Sequence, residues 1–232
     1  MLPDGRNVQA AIIGKMQGRN LDVKTGETYS GKQKDRRDRM GKIICLMGKS
    51  SAGKDTIYKK LLETEELNLR TVVPYTTRPI RAGEREGVEY HFTDEEGFLD
   101  LQRRGKVVED RSYQTCHGLW RYFTVDEGID PEESDYLLIG TPEACGKLRE
   151  YFGGEKILPI LVEVDDGERL QRALNRERKQ ETPKYEEMCR RFLADAKDFS
   201  EEKLAELGNP RRFCNEDLTA CLDEIIAYIK SN

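Results

Sequence analysis

The chain has 232 residues, enough for one large domain or two small ones. Charged residues make up 36% of it, against about 25% in a typical domain, so we expect a folded chain with a highly charged surface. No run of 18 apolar residues occurs, which argues against a membrane partner. The net charge is -5, and beyond residue 40 acidic residues outnumber basic ones by 39 to 30. That balance argues against broad nucleic-acid binding, which needs a basic face.

The N-terminal segment and the cysteines bear on domain organisation and compartment. Residues 1–40 are polar and mixed in charge, so we expect a flexible extension; a functional start at Met40 is left open. The N-terminus lacks the apolar core of a secretion signal. Six cysteines form no CxxC pair, and we expect reduced thiols and a cytoplasmic protein. Cys116-His117 is the one close pair of metal-binding types, and a zinc site there is not favoured.

Strands and helices alternate from residue 41 onward, within one domain over 41–232. Short apolar runs predict buried strands at 42–47, 69–73, 136–139, 157–164 and 213–214. Helical spacing predicts helices at about 56–65, 142–152, 167–178, 185–207 and 218–229. Pro159 inside its strand suggests an edge, a bulge or a late start. The alternation favours an α/β fold with a parallel sheet and helices on both faces.

A glycine-rich segment between the first strand and the first helix fits the pattern G-x-x-x-x-G-K. Its residues are Gly48, Lys49, Ser50, Ser51, Ala52, Gly53 and Lys54. Backbone N–H groups in such a loop surround phosphate oxygens, and Lys54 would reach the β- and γ-phosphates. Asp55 stands where a Ser or Thr usually holds Mg²⁺, and Thr56 follows it, so both are candidate metal ligands. The alternative is a Gly/Ser turn that happens to precede a helix.

An arginine-rich segment follows the second predicted strand. Arg78 and Arg81, separated by a proline, could clamp one phosphate with their planar donors. Glu84 adds an acceptor and Tyr90 adds a hydroxyl. The residues alone leave a solvated charged loop equally open.

Residues 76–92 match throughout the pattern TTRxxRxGExxGxxYxF, and with the phosphate loop they make the chain resemble the guanylate kinases over about 42–230. The resemblance implies a P-loop kinase core with a small monophosphate-binding insert at about 74–126. It also implies a helical lid at about 174–192. The implied reaction transfers the ATP γ-phosphoryl group to GMP, with Mg²⁺ bound with ATP.

The resemblance also implies roles for individual residues. The implied GMP ligands are Arg78, Arg81, Glu84, Tyr90, Glu109, Tyr122 and Thr124. Glu109 would accept from guanine N1 and N2, whereas the match at Tyr122 and Thr124 crosses about four extra residues. The implied catalytic residues are Lys54 and the lid arginines Arg178 and Arg191, with Arg172 and Arg176 competing for the place of Arg178. Asn215 would lie near the adenine of ATP or cap a helix, or do both.

Three positions depart from the family pattern. Pro74 replaces a base-contacting serine, Gly140 replaces an aspartate, and Asp55 replaces the hydroxyl residue. They leave open a kinase of the same fold for another phosphorylated acceptor, such as a deoxynucleotide. A second alternative is a guanylate-kinase-like binding module, against which the retained Gly53-Lys54 argues. The sequence leaves a homo-oligomer open.

Overall fold

A computed structural model describes residues 41–80, 84–115 and 118–232. The predicted extension at 1–40, the predicted ligand Arg81 and the Cys116-His117 pair lie outside the described residues.

The described residues form nine strands and seven α-helices. The strands are β1 Ile43–Met47, β2 Arg70–Thr71, β3 Tyr75–Thr76, β4 His91–Phe92, β5 Val107–Thr115, β6 Gly118–Val125, β7 Tyr136–Gly140, β8 Ile157–Glu163 and β9 Arg211–Cys214. The helices are α1 Lys54–Glu63, α2 Glu95–Arg103, α3 Pro142–Phe152, α4 Asp166–Arg178, α5 Tyr185–Asp198, α6 Glu201–Glu206 and α7 Leu218–Ser231.

The central sheet has the strand order β2-β7-β1-β8-β9, and all of its strand pairs are parallel. Every residue of β1 is buried, because β1 lies in the middle of the sheet with helices on both faces. Ile44 and Leu46 pack on one face with α1 and α7, and Ile43, Cys45 and Met47 pack on the other with α3 and α6. The predicted α/β fold, with a parallel sheet between two helical layers, is confirmed.

A second sheet lies within residues 75–125 and has the order β4-β3-β6-β5. Its main unit is the long antiparallel hairpin of β5 and β6, and the short β3 pairs with the other side of β6. Helix α2 covers this sheet through Phe98, whose ring centre lies 4.9 Å from that of Phe123. Phe98, Leu101, Phe123 and Val125 form a small core on this sheet, separate from the clusters of the central sheet.

The prediction of one continuous helix at 185–207 is wrong. It is broken into α5 and α6 at Phe199 and Ser200, and the Ser200 hydroxyl accepts a hydrogen bond from the Lys203 N–H as the cap of α6. The apolar spacing continues across the break, which explains why periodicity joined the two helices. The apolar side chains of α5 do not belong to the buried core, since Leu193 is 70% exposed and no residue of α5 is buried.

Pro159 lies in an interior strand but before its second neighbour begins. β8 pairs with β1 over 157–161, whereas β9 pairs only with 160–163. The missing N–H of Pro159 is therefore tolerated. Across the described residues, no helix combines the length and the apolar character needed to cross a membrane.

The buried face of α3 gives a first prediction. Leu148→Ala removes a fully buried side chain from the cluster between α3 and β1. It should lower the free energy of unfolding by about 2–5 kcal/mol, measured by urea denaturation. The matched control Leu193→Ala, on exposed α5, should change it by less than about 0.5 kcal/mol. Equal effects of the two variants would contradict the described core.

Candidate active site

The glycine-rich loop joins the carboxyl end of β1 to the start of α1. A Cβ on Gly48 would lie 2.7 Å from the Val162 carbonyl oxygen of β8, so only glycine fits there. Gly53 has φ 89° and packs against the Asn215 amide, which a Cβ would overlap. The loop thus turns tightly and ends at the α1 N-terminus, an arrangement that binds anions.

Asn215 is a buried support of this loop. Its side-chain Nδ2 donates to the Ala52 carbonyl at 2.7 Å, and its own backbone N–H donates to Glu163 at 2.7 Å. The cap of α7 is Asp217, which accepts from the Ala220 N–H at 2.8 Å, so the helix-cap alternative for Asn215 is wrong. The loop conformation therefore depends on an amide held by the strand that precedes α7.

Two charged side chains open α1. Lys54 Nζ lies 4.0 Å from Asp55 Oδ1, and the Asp55 side chain is 74% exposed, as expected for a group that meets ligand or solvent. The described residues contain no cluster of three or more carboxylate, His or Cys side chains. Mg²⁺ usually takes one or two carboxylates, substrate phosphates and several waters, so Asp55 with the neighbouring Thr56 hydroxyl fits this ion.

A buried arginine links the loop to both following helices. Arg169 of α4 is 1% exposed, donates to the Ser50 carbonyl at 2.9 Å and pairs with Asp195 of α5 at 3.3 Å. Asp195 also accepts the Ser50 N–H at 2.8 Å. The Arg169 guanidinium lies 4.5 Å from the centre of the Phe192 ring. Neither Arg169 nor Asp195 is predicted from the sequence as a site residue, because their partners are distant along the chain.

The predicted lid arginines differ in their positions. Arg191 Nη2 lies 3.5 Å from the Ser50 hydroxyl oxygen, beside the loop. Arg178 is exposed in the last turn of α4. Arg172, one of its competitors, donates to the Asn215 carbonyl at 3.4 Å, and its Nη1 lies 4.0 Å from where a Cβ on Gly53 would be. Arg172 and Arg191 therefore lie beside the loop, together with Lys54 from α1.

A second cluster forms on the second sheet around Arg78. Its guanidinium makes two hydrogen bonds to Glu84, at 2.6 and 2.7 Å, and lies 5.0 Å from the Tyr90 ring centre. The Glu84 bonds raise the pKa of Arg78. Its buried Nε has no hydrogen-bond partner in the described part of the chain, and so remains able to donate to a ligand. Burial raises the pKa of Tyr90, so its hydroxyl stays a donor at neutral pH.

Glu109 lies on the hairpin face next to this cluster, with its side chain 1% exposed. The Thr124 hydroxyl donates to it at 2.9 Å, and Arg111 Nε donates at 3.2 Å. Glu109 faces Thr124 across the strands, and Arg111 faces Tyr122. Arg111 was not predicted as a site residue, although alternation along a strand puts residues 109 and 111 on one face.

A cleft of about 280 Å³ separates the hairpin from the core helices. Its walls include Arg111 and Tyr113 of β5, Thr141 and Glu143 at the start of α3, and Lys203 of α6. A Cβ on Gly140, at the end of β7, would lie 2.9 Å from Cys45 Sγ, so a larger residue there would require Cys45 to shift. The negative charge that the family pattern places at this strand end is absent from this position.

Comparisons with known proteins agree with this geometry. The guanylate kinase family model matches residues 40–119. The chain is 33% identical to guanylate kinase of Anaplasma phagocytophilum (strain HZ) over 128 residues, covering 53% of this chain and 60% of that protein. It is 28% identical to guanylate kinase of Porphyromonas gingivalis (strain ATCC BAA-308 / W83) over 189 residues, covering 80% and 95%. In the Anaplasma alignment, the chain thus spans less than two thirds of its relative.

A solved structure extends the likeness to the fold. The crystal structure of guanylate kinase from Anaplasma phagocytophilum matches with a TM-score of 0.57 at 24% identity, covering 83% of this chain and 86% of that one. The parallel sheet, the phosphate loop and its lysine define a P-loop protein of the phosphotransferase fold. Within that class, the chain is similar to guanylate kinases.

The support of the loop gives a second prediction. Asn215→Ala leaves the buried Ala52 carbonyl without its donor, which should cost about 1–3 kcal/mol of unfolding free energy. The looser loop should also weaken ATP binding, measured by calorimetry. Asn175→Ala, on the exposed side of α4, is the matched control and should alter neither quantity. ATP affinity unchanged in Asn215→Ala would refute this role of the amide.

Proposed function

We propose that this chain transfers the γ-phosphoryl group of ATP to GMP, giving ADP and GDP. One observation carries the proposal: a phosphate loop with its lysine on one sheet is accompanied, on a second sheet, by an arginine–tyrosine cluster beside a buried carboxylate. The first suits a nucleoside triphosphate, and the second suits the phosphate and the base of a nucleoside monophosphate.

On the triphosphate side, we assign the loop residues 48–54 and the α1 N-terminus to the phosphates. Lys54 neutralises charge on the β- and γ-phosphates, and Arg172 and Arg191 are placed beside the same loop. Arg178 is assigned to the lid, where closure of α4 and α5 would bring it toward the transferring group. Asp55 and Thr56 would hold Mg²⁺, which when bound with ATP would offset negative charge on the phosphates.

On the monophosphate side, the Arg78 Nε and the Tyr90 and Tyr122 hydroxyls are assigned to the GMP phosphate, together with Arg81. Glu84 orients Arg78 through its two hydrogen bonds. Glu109 is assigned to guanine, whose N1–H and N2–H groups it can accept together. Thr124 orients that carboxylate.

The chemistry needs little beyond this positioning. The acceptor is a phosphate oxygen that is already charged, so no strong general base is required. Catalysis then consists of in-line placement and charge neutralisation of the transferring group. Closure of the helices excludes water, so ATP is not simply hydrolysed.

We place this activity in the cytoplasm with ATP and GMP as the partners. The support is the free state of Cys45, Cys145, Cys189, Cys214 and Cys221, which suits a reducing compartment.

The loop lysine gives the direct test of the proposed function. Lys54→Ala should lower the rate of ADP formation with GMP by about 10²–10³-fold, because one charge that stabilises the transferring phosphate is lost. The fold should persist, since Lys54 lies in the first turn of α1 and belongs to none of the buried core clusters. Lys59→Ala, exposed on the same helix, is the control and should retain full activity. Near-normal turnover by purified Lys54→Ala would refute the assignment.

The proposed metal ligand gives another prediction. Asp55→Asn should raise the Mg²⁺ concentration needed for the half-maximal rate, because an amide oxygen is a weaker ligand than a carboxylate. ATP binding in EDTA should be unchanged or tighter, since a negative charge near the phosphates is removed. Glu63→Gln, exposed at the other end of α1, is the matched control. An unchanged Mg²⁺ requirement would instead assign Asp55 to stabilisation of the helix end.

A further inference from the structure

We propose that Arg111 is a specificity residue that donates a hydrogen bond to O6 of guanine while Glu109 accepts from N1 and N2. The inference rests on the proposed function and adds to it the residue that reads the third group of the base edge.

The starting observation is the way Arg111 covers Glu109. Its Nε donates to Glu109 Oε2 at 3.2 Å, and its Nη2 lies 3.4 Å from Oε1. The N1–C2–N2 unit of guanine is itself a guanidine, so in this structure the arginine makes the pair of contacts that the base would make. The second of these is long for an N–H···O bond, so it is the weaker contact to give up when a base enters.

The chemistry of guanine requires a donor at this position. Its edge presents the O6 acceptor beside the N1–H and N2–H donors. A carboxylate satisfies the two donors but repels O6, and burying O6 without a donor costs affinity. The Thr124 hydroxyl has one hydrogen, and it donates that hydrogen to Glu109. In the described part of the chain, Arg111 uses two of its five N–H donors, both on Glu109, so three remain.

The placement of Arg111 suits this role. Its side chain is 22% exposed and lines the cleft, whereas that of Glu109 is 1% exposed, so the guanidinium is the more accessible of the two groups. Burial by itself lowers the pKa of Arg111. The charge and hydrogen bonds of Glu109, with a contribution from Tyr113, raise it by more, so the pKa is raised overall. The guanidinium therefore stays charged and remains a donor at neutral pH.

The alternative is that Arg111 only neutralises the buried Glu109. A base analogue separates the two roles, because 6-thio-GMP differs from GMP only in carrying sulfur, a weak acceptor, at position 6. An O6 contact predicts a larger loss with GMP than with 6-thio-GMP. Simple neutralisation of Glu109 predicts the same loss with both.

The experiment measures kcat/KM of the full chain for GMP, IMP and 6-thio-GMP. Arg111→Met should lower the values for GMP and IMP, which both carry O6, by about 10–100-fold, the loss expected for one charge-assisted hydrogen bond. The value for 6-thio-GMP should fall several-fold less. Equal losses with GMP and 6-thio-GMP, or no loss with either, would overturn the inference.

Two further variants keep the test decisive. Arg121→Met, on the neighbouring strand, removes an arginine that is 20% exposed and paired with Glu95, and it should leave the ratio of GMP to 6-thio-GMP unchanged. Arg111→Lys keeps the charge beside Glu109 if Arg111→Met does not fold, and it should narrow that ratio several-fold because the fork of donors is lost. A ratio unchanged in Arg111→Lys would overturn the inference.

The wild-type chain separates this inference from the proposed function. If it does not use GMP in preference to AMP, the proposed function fails and the inference fails with it. If it prefers GMP but the Arg111 variants keep the wild-type ratio of GMP to 6-thio-GMP, only the role of Arg111 fails.

Discussion

The phosphate loop can exist in this structure only because two of its residues have no side chain. Gly48 passes against the backbone of β8 and Gly53 against the amide of Asn215, each closer than a Cβ allows. At the second of these close approaches, the Asn215 amide donates a hydrogen bond to the Ala52 carbonyl. The loop is therefore held from the sheet side by backbone and amide groups, and its N–H groups are left for an anion.

Helices α4 and α5 are attached to the same loop. Arg169 and Asp195 bring α4 and α5 to Ser50, and the arginine is stacked on Phe192. A buried charge is costly unless it is paired, and removal of Asp195 would leave Arg169 with Asp166, at 2.8 Å, as its remaining carboxylate partner among the described residues. The position of the two helices is thus tied to the conformation of the loop through Arg169 and Asp195.

Local signals were sufficient to predict much of this architecture. The buried run at β1, the glycine pattern after it and the alternation of strands with helices predicted the central sheet and the loop, because each depends on neighbours in sequence. The break between α5 and α6 was missed, although Ser200 followed by two glutamates is a helix-start signal. Apolar spacing that continued across it outweighed that signal.

The contacts that complete the site could not be predicted in the same way. Asp195 reaches a loop residue 145 positions away, and Asn215 one 163 positions away, so only the folded chain brings them together. Arg111 is an intermediate case. Its proximity to Glu109 follows from strand alternation, but only if that segment is first recognised as a strand.

The central proposal is that the two sheets together select GMP and transfer a phosphoryl group from ATP to its phosphate. The most direct measurement compares kcat/KM for GMP, dGMP, AMP, CMP and UMP in an assay that follows ADP release from ATP. The account predicts that GMP exceeds AMP by at least about 100-fold, because adenine cannot supply the donors that Glu109 accepts. A higher value for any base other than guanine, or no ADP release with GMP, would contradict it.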